Sequence, residues 1–442
     1  MTAVLIAILT MTVVGLLVAI AIDRSARGPL LLGLAVLYGS GAVLYALLLL
    51  SVLHLEWTAA SAMITLLAFG AAAWIVARRG SKSAATAQPD GQSVTPHPLD
   101  VITAFLAVAY VAYITIASLW EWDFWAIWGL KARVFLEHGG IDWAWLGSHW
   151  NDFAHPDYPV LVPLNYVFAG LLNGSWSDRW LGLFQVAWAI AALLIVRALT
   201  AAETKNWASA AATAACAIVA MSFYAGMAEG ALIAFAGAGL LFLRKAVRND
   251  DPFDWRHGAL LLGLAANCKN EGIALLAVTA IGIVVSDPRR WRRVVRLWPA
   301  LVLLAPWMLL RAAHALPTDI ASGNVLGRFL ERAAHPGEIF TILGKALVDP
   351  WSWVVILLAL VIVPRGVQRE RFIVTVTFLQ IAVYIVTYFV TPNDVTWHIL
   401  TSWQRLTRQI QIPITAACII LLAQFAAGGE DAPHAEARSE QH

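Results

Sequence analysis

Charge is what this sequence has least of. Only 13% of its 442 residues are Asp, Glu, Lys or Arg, while 60% are hydrophobic. An ordinary soluble domain carries about a quarter charged residues, so that class is excluded. A net charge of +2 is uninformative in total, since only its distribution matters; no nucleic-acid partner is expected. Cysteine is scarce too. Cys216, Cys268 and Cys418 all fall in apolar helical context without CxxC spacing, which argues against a disulfide framework or a zinc site. No internal repeat is visible, which counts against a transporter built from repeated halves. The first apolar run lacks a basic leading segment and a small-residue cleavage site, and reads as a retained helix rather than a signal peptide.

What is present is long apolar runs. Met1–Ile22, Pro29–Leu53, Leu99–Trp120 and Phe372–Val390 each approach the roughly 20 residues that cross a bilayer. The expected fold class is therefore an all-α polytopic integral membrane protein. Basic residues orient it, because Lys and Arg concentrate on the cytoplasmic side. Arg24 and Arg27 follow the first span, and Arg78, Arg79 and Lys82 follow the third. Placing these inside puts Leu99–Leu119 running outward. The Ser/Ala/Thr/Pro-rich linker Gly80–Pro98 then reads as a flexible cytoplasmic connection.

Parity carries this along the chain. Val160–Leu172 is too short for an ordinary crossing and is expected to be interfacial or re-entrant. His257–Val285 starts beside Arg256 and ends at Arg289, Arg290, Arg292 and Arg293. Both ends are thus inside, which requires two short helices with Lys269-Asn270-Glu271 at their outer apex. The segment His314–Pro350 forms a second outer loop with an amphipathic helix near Val325–Ala334. About 13 spans result. Of the 30 Lys and Arg residues, the outside holds only Lys131, Arg133, Arg179, Lys269, Arg311, Arg328, Arg332, Lys345, Arg405 and Arg408. Cations kept on the disfavoured side call for anionic partners. The organisation is an N-terminal three-helix extension and linker (1–98), a membrane catalytic module (99–427) and a disordered cytoplasmic tail (428–442).

The stretch around which the module is arranged is the outer loop 120–163. It holds seven tryptophans, the acids Glu121 and Asp123, and the turn His155-Pro156-Asp157-Tyr158-Pro159. Tryptophan favours membrane–water interfaces, so the loop is expected along the membrane surface, with interfacial helices; the same rings suit stacking on sugars. Glu121 and Asp123 follow an outward span, either as a general base with an orienting partner or as solvated acids at a helix end. The two prolines stiffen the turn that presents Asp157. Lys269 interrupts apolar sequence near membrane depth, where charges are costly and usually functional. Its partner is either a lipid phosphate or Glu271. Glu229 opens an inward span as an assisting acid or a helix-terminal one. Arg405 and Arg408, three apart on one helix face, suit a phosphate or pyrophosphate, or snorkel to the interface. Lys131, His155, Tyr158, Glu229, Glu271 and His398 complete the expected substrate-binding set.

In order and spacing, WDFWAIWGLKAR, HPDYPVLVPL, FYAGMAEGALIAF, LLGLAANCKNEG and WHILTSWQRLTRQ resemble the membrane-embedded GT-C glycosyltransferases, the superfamily of protein O-mannosyltransferases and lipid A aminoarabinose transferases. The likeness covers roughly residues 99–427. It implies transfer of a sugar from a polyprenyl-phosphate donor to a glycan, lipid or protein acceptor at the periplasmic face of the bacterial inner membrane. By the same resemblance Asp123 is the base, Asp157 and Glu229 assist, and Lys269 contacts the lipid phosphate. The external acids here read Glu-Trp-Asp rather than as adjacent residues, and the three spans before Leu99 precede the usual start. No cofactor is specified; a divalent cation, Mg or Mn, is the one left open. A lipid-linked oligosaccharide ligase or polymerase is the alternative reading, and a polytopic transporter the third.

Overall fold

A computed structural model describes residues 1–79, 94–117, 119–221, 226–318, 323–346 and 350–427. Most of the expected linker 80–98, the tail 428–442 and Phe223–Ala225 of the FYAGMAEG motif lie outside the described residues. Within them the chain is all helical. Three helices come first: α1 (Thr2–Ile22), α2 (Gly28–Val52) and α3 (Ala59–Arg79). The crossing of α1 on α2 is close because it is made at glycines. A Cβ at Gly39 would stand 2.0 Å from the Met11 carbonyl oxygen, and one at Gly15 would stand 1.9 Å from that of Ala35. Small residues that let backbones approach are a usual basis of helix association in lipid.

The next elements are α4 (Asp100–Ile116), α5 (Gly129–His138), the short α6 (Trp143–Leu146) and α7 (Leu161–Asn173). Asp142 caps α6 by accepting from the Trp145 amide, as N-cap acids do. Leu161–Gly170 of α7 is wholly buried, and the helix packs on α1, α2 and α5. The short segment is therefore buried among neighbouring helices. Short length is tolerable there because neighbouring helices shield its ends.

The centre of the molecule is α8 (Leu183–Ala201), α9 (Asn206–Ala220), α10 (Ala228–Asn249) and α11 (Pro252–Ala266). Asp251 at the N-cap and Pro252 in the first turn start α11, the usual opening of a helix. α10 is 89% buried over its apolar window, whereas α3 is 17% buried, so α10 is the axis and α3 faces the surroundings. α2 also belongs to this interior. It packs on α7 and α8, and its Ser40 accepts a hydrogen bond from Trp188 Nε1 at 2.7 Å.

Around this axis run α12 (Asn270–Ser286), α13 (Trp298–Ala313), α14 (Val325–Ala334), α15 (Pro336–Lys345), α16 (Pro350–Ile362), α17 (Pro364–Arg369), α18 (Arg371–Val390), α19 (Val395–Arg408) and α20 (Gln411–Ala426). Lys269 sits between two short helices, α11 and α12, as the N-cap of α12, and Asn270 and Glu271 open that helix. The amphipathic segment Val325–Ala334 forms a helix that buries none of its residues. Among the described residues, seven helices are long and apolar enough to cross a membrane, or eight if α19 and α20, bent by 50°, count as one broken span.

Candidate active site

The first acid segment leaves α4 and re-enters helix through a π-helical turn, Phe124–Trp128, with Asp123 at its N-cap. Single π turns recur at functional sites because they offset side chains from the regular helix face. Gly226 holds φ at +82°, and a Cβ there would lie 2.7 Å from the Phe124 ring. This glycine lets the start of α10 close against the π turn. Glu229, in the first turn of α10, thereby meets Asp123 through a shared guanidinium. Arg405 Nη1 is 2.5 Å from Asp123 Oδ2 and 3.7 Å from Glu229 Oε1.

Lys269 completes the chain from the other side. Its ammonium is 2.9 Å from Glu229 Oε1 and 2.8 Å from Glu271 Oε1, and the residue is almost wholly buried. Gly272 allows this placement, since a Cβ there would stand 2.2 Å from the Ala265 carbonyl oxygen and force α12 away from α11. The result is a continuous sequence of ion pairs, Asp123–Arg405–Glu229–Lys269–Glu271. It joins residues far apart in the chain, with three carboxylates to two cations. Buried Oε2 atoms of Glu229 and Glu271 have no hydrogen-bond partner among the described residues. Buried acceptors of this kind are costly unless something donates to them.

A second arm carries the HPDYP turn. Asp157 accepts from Asn270 Nδ2 at 2.8 Å and lies 3.4 Å from Arg311, while its carbonyl accepts from Trp307 Nε1. His155 adopts a left-handed conformation with φ +51°, uncommon for a non-glycine residue. Its carbonyl accepts from Lys131, and its ring stacks on Tyr158 at 4.5 Å. Tyr158 is thus approached by two ammonium groups, Lys131 at 5.7 Å and Lys269 at 6.0 Å from the ring centre. Cation–π attraction at these distances helps to hold both lysines.

Glu121 is half-buried and makes no ion pair among the described residues. Burial raises its carboxyl above the usual range; Arg405 opposes this, and the charges of Asp123 and Glu229 add to it. His398 stands two turns before Arg405 on α19 and bonds Thr391 Oγ1 at 2.9 Å. Arg408 is buried one turn beyond Arg405. Of the loop tryptophans, Trp120, Trp122, Trp125 and Trp150 are exposed, whereas Trp128 is fully buried against Tyr158 and has a packing role.

Six of the ten cations expected outside sort clearly. Lys269, Arg311 and Arg405 find carboxylates in the site, and Arg133 pairs with Glu137 on the surface. Arg328 and Arg332 donate instead to backbone carbonyls at the end of α18, Val390 and Tyr388 among them. Two site residues, Arg311 and Asn270, carried no assigned role in the sequence reading. The minority-side position of Arg311 was the available signal. Nothing marked Asn270 except its place beside Lys269.

The donor set does not suit a metal ion. Among the described residues no three His, Cys, Asp or Glu side chains converge on one, and a dication at Glu229 would meet two cations already in place. No protein-family model, curated protein or solved structure matches the chain.

Proposed function

We propose that the chain is a membrane glycosyltransferase of GT-C type, moving a sugar from a polyprenyl-phosphate donor to an acceptor hydroxyl at the outer face. About 13 crossings would follow if the shorter apolar helices α4, α9, α11, α12, α16 and α20 also traverse the bilayer and α7 does not. The observation that carries the reading is the sharing of carboxylates at Lys269 and Arg405. The fully buried Glu229 has two cations, so either Lys269 or Arg405 can turn to a phosphate without leaving that carboxylate alone. A donor phosphate drawing Arg405 toward itself would release Asp123.

Chemistry then follows from these positions. Asp123, or Glu121 beside it, takes the proton of the acceptor hydroxyl. The hydroxyl oxygen forms a bond to the anomeric carbon as the bond from that carbon to the phosphate oxygen breaks. The phosphate departs with the electron pair as an anion, so it needs cations rather than a general acid. A single displacement inverts the anomeric centre. Asp157, held by Asn270 and Arg311, fixes the turn that carries Tyr158 beside Lys269. Exposed Trp122, Trp125 and Trp150 suit the acceptor or the bilayer interface.

The bend between α19 and α20 favours one second reading. Broken helices with charged residues at the break are also how secondary transporters bind substrates. Reconstituted protein separates the two. A transferase releases polyprenyl phosphate from a polyprenyl-phosphate sugar in a closed vesicle with no solute flux. Solute flux without release of lipid phosphate would overturn the transferase reading. Mass spectrometry of surface glycans and lipids, with and without the gene, then identifies the acceptor.

A further inference from the structure

A second cluster lies at the far end of α10 from Glu229, and nothing in the transfer reaction uses it. There the ends of α10, α12, α17 and α18 enclose a cavity of about 190 Å³. Its inner wall is Arg244, buried and forked. Nε and Nη2 each lie 2.7 Å from Glu370, while Nη1 lies 2.8 and 2.7 Å from the two oxygens of Glu203. Arg248 reaches the same two acids at 3.2 and 3.3 Å. Two arginines and two glutamates therefore balance, and they brace one another into a rigid wall. Asp287, also in the lining, is held by Arg290 at 3.6 Å and Arg293 at 4.0 Å.

That leaves Arg369 and Arg371. They flank Glu370 in sequence, line the same cavity, are exposed, and make no ion pair among the described residues. The cavity consequently presents two uncompensated guanidinium groups over a neutral, preformed floor. It also opens at the N-terminus of α18, where the helix dipole is positive. Planar guanidinium forks match tetrahedral oxyanions better than point charges do. Phe372 opens the apolar run of α18, which is long and apolar enough to cross a membrane; a crossing there would put the cavity at the level of lipid phosphates.

We infer that this cavity binds a phosphate group through Arg369 and Arg371, either the phosphodiester of an anionic lipid headgroup or free phosphate. The site is independent of the transfer chemistry at the opposite end of α10, and would stand if that reading failed.

The test uses the full chain, purified in detergent and stripped of lipid. Native mass spectrometry measures retention of phosphatidylglycerol against phosphatidylcholine, with inorganic phosphate as competitor, and calorimetry measures phosphate alone. Phosphatidylglycerol should be retained preferentially. Arg369→Ala/Arg371→Ala should weaken that retention roughly tenfold or more, the usual scale for losing hydrogen bonds to a charged group, and Arg369→Lys/Arg371→Lys should restore part of it. Retention unaffected by millimolar phosphate identifies the lipid as the ligand, and calorimetric binding with displacement identifies free phosphate. Equal retention of the two lipids with no calorimetric phosphate binding overturns the proposal. So does an alanine variant that binds both ligands as tightly as the parent chain, a comparison that rests on exposed side chains.

Discussion

Arg405 Nη1 lies 2.5 Å from Asp123 Oδ2, across 282 positions of sequence. The carboxylate proposed as base is therefore held by the cation proposed for the donor phosphate. Asp123→Asn keeps the shape and leaves Arg405 facing Glu229, so the fold should survive. Transfer should fall by about 10²–10⁴-fold, the scale of general base catalysis, with donor affinity little changed. Turnover at the parental rate would remove Asp123 from the role and move it to Glu121.

Glu121 sets the expected pH dependence. Burial, with Asp123 and Glu229 adding to it, raises its carboxyl above the ordinary range. Such a group loses its proton only as pH rises through the elevated value. The acid limb of kcat/KM should then lie above the roughly 4.3 of a free glutamate. The same sign gives the stability effect: the neutral form is the one favoured by folding, and its contribution fades as pH rises past the unfolded value. Glu121→Gln should accordingly hold or raise the thermal midpoint at neutral pH while shifting the acid limb. An unmoved limb would exclude Glu121 from it.

Breaks in apolar runs made the acids and Lys269 legible in sequence, because a charge at membrane depth is conspicuous. The amphipathic segment Val325–Ala334 was legible from its periodicity. Pairing was not legible. Glu271 is two residues from Lys269 and was an available partner, but Glu229, 40 residues earlier, reaches it only because Gly226 and Gly272 let α10 and α12 close in. Asn270 and Asp157 are likewise joined across 113 positions. Hydropathy also could not distinguish a short crossing from a short buried helix: α7 is apolar in either case, and its burial depends on α1, α2 and α5 packing around it.

Asp23, in the α1–α2 connection, gives an acid-stability test. Burial pushes its carboxyl up, but the contacts of His257, 3.5 Å away, and of Ser25 outweigh that and hold it down at about 2. A depressed carboxyl contributes stability that is present above the unfolded value near 3.9 and lost as pH falls through about 2. The contribution is on the order of 2 kcal/mol. Asp23→Asn should lower the unfolding midpoint at pH 6 and lessen its decline between pH 4 and 2 relative to the parent chain. Parallel curves for the two proteins would show that the contact is silent.

Lys269 decides between a structural and a functional account of the ion-pair chain. Its ammonium stands between Glu229, which is fully buried, and Glu271. Lys269→Met removes the only cation of Glu271 among the described residues and leaves Glu229 with Arg405 alone, at 3.7 Å. Breaking a buried pair on one side costs about 3–5 kcal/mol, so the thermal midpoint should drop clearly. Adding Glu271→Gln removes one orphaned charge, and most of the loss should return, because the two changes act on one contact and are not additive. Donor affinity should not return with it. If the phosphate of a polyprenyl-phosphate sugar binds Lys269, the double variant still lacks the ammonium, and its affinity should stay low, by an amount on the scale of 2–5 kcal/mol for a truncated charge pair. Midpoints measured in detergent and donor affinities measured on the same preparations separate these outcomes. A double variant that recovers both stability and donor binding would make Lys269 a structural counter-ion and leave the phosphate to Arg405.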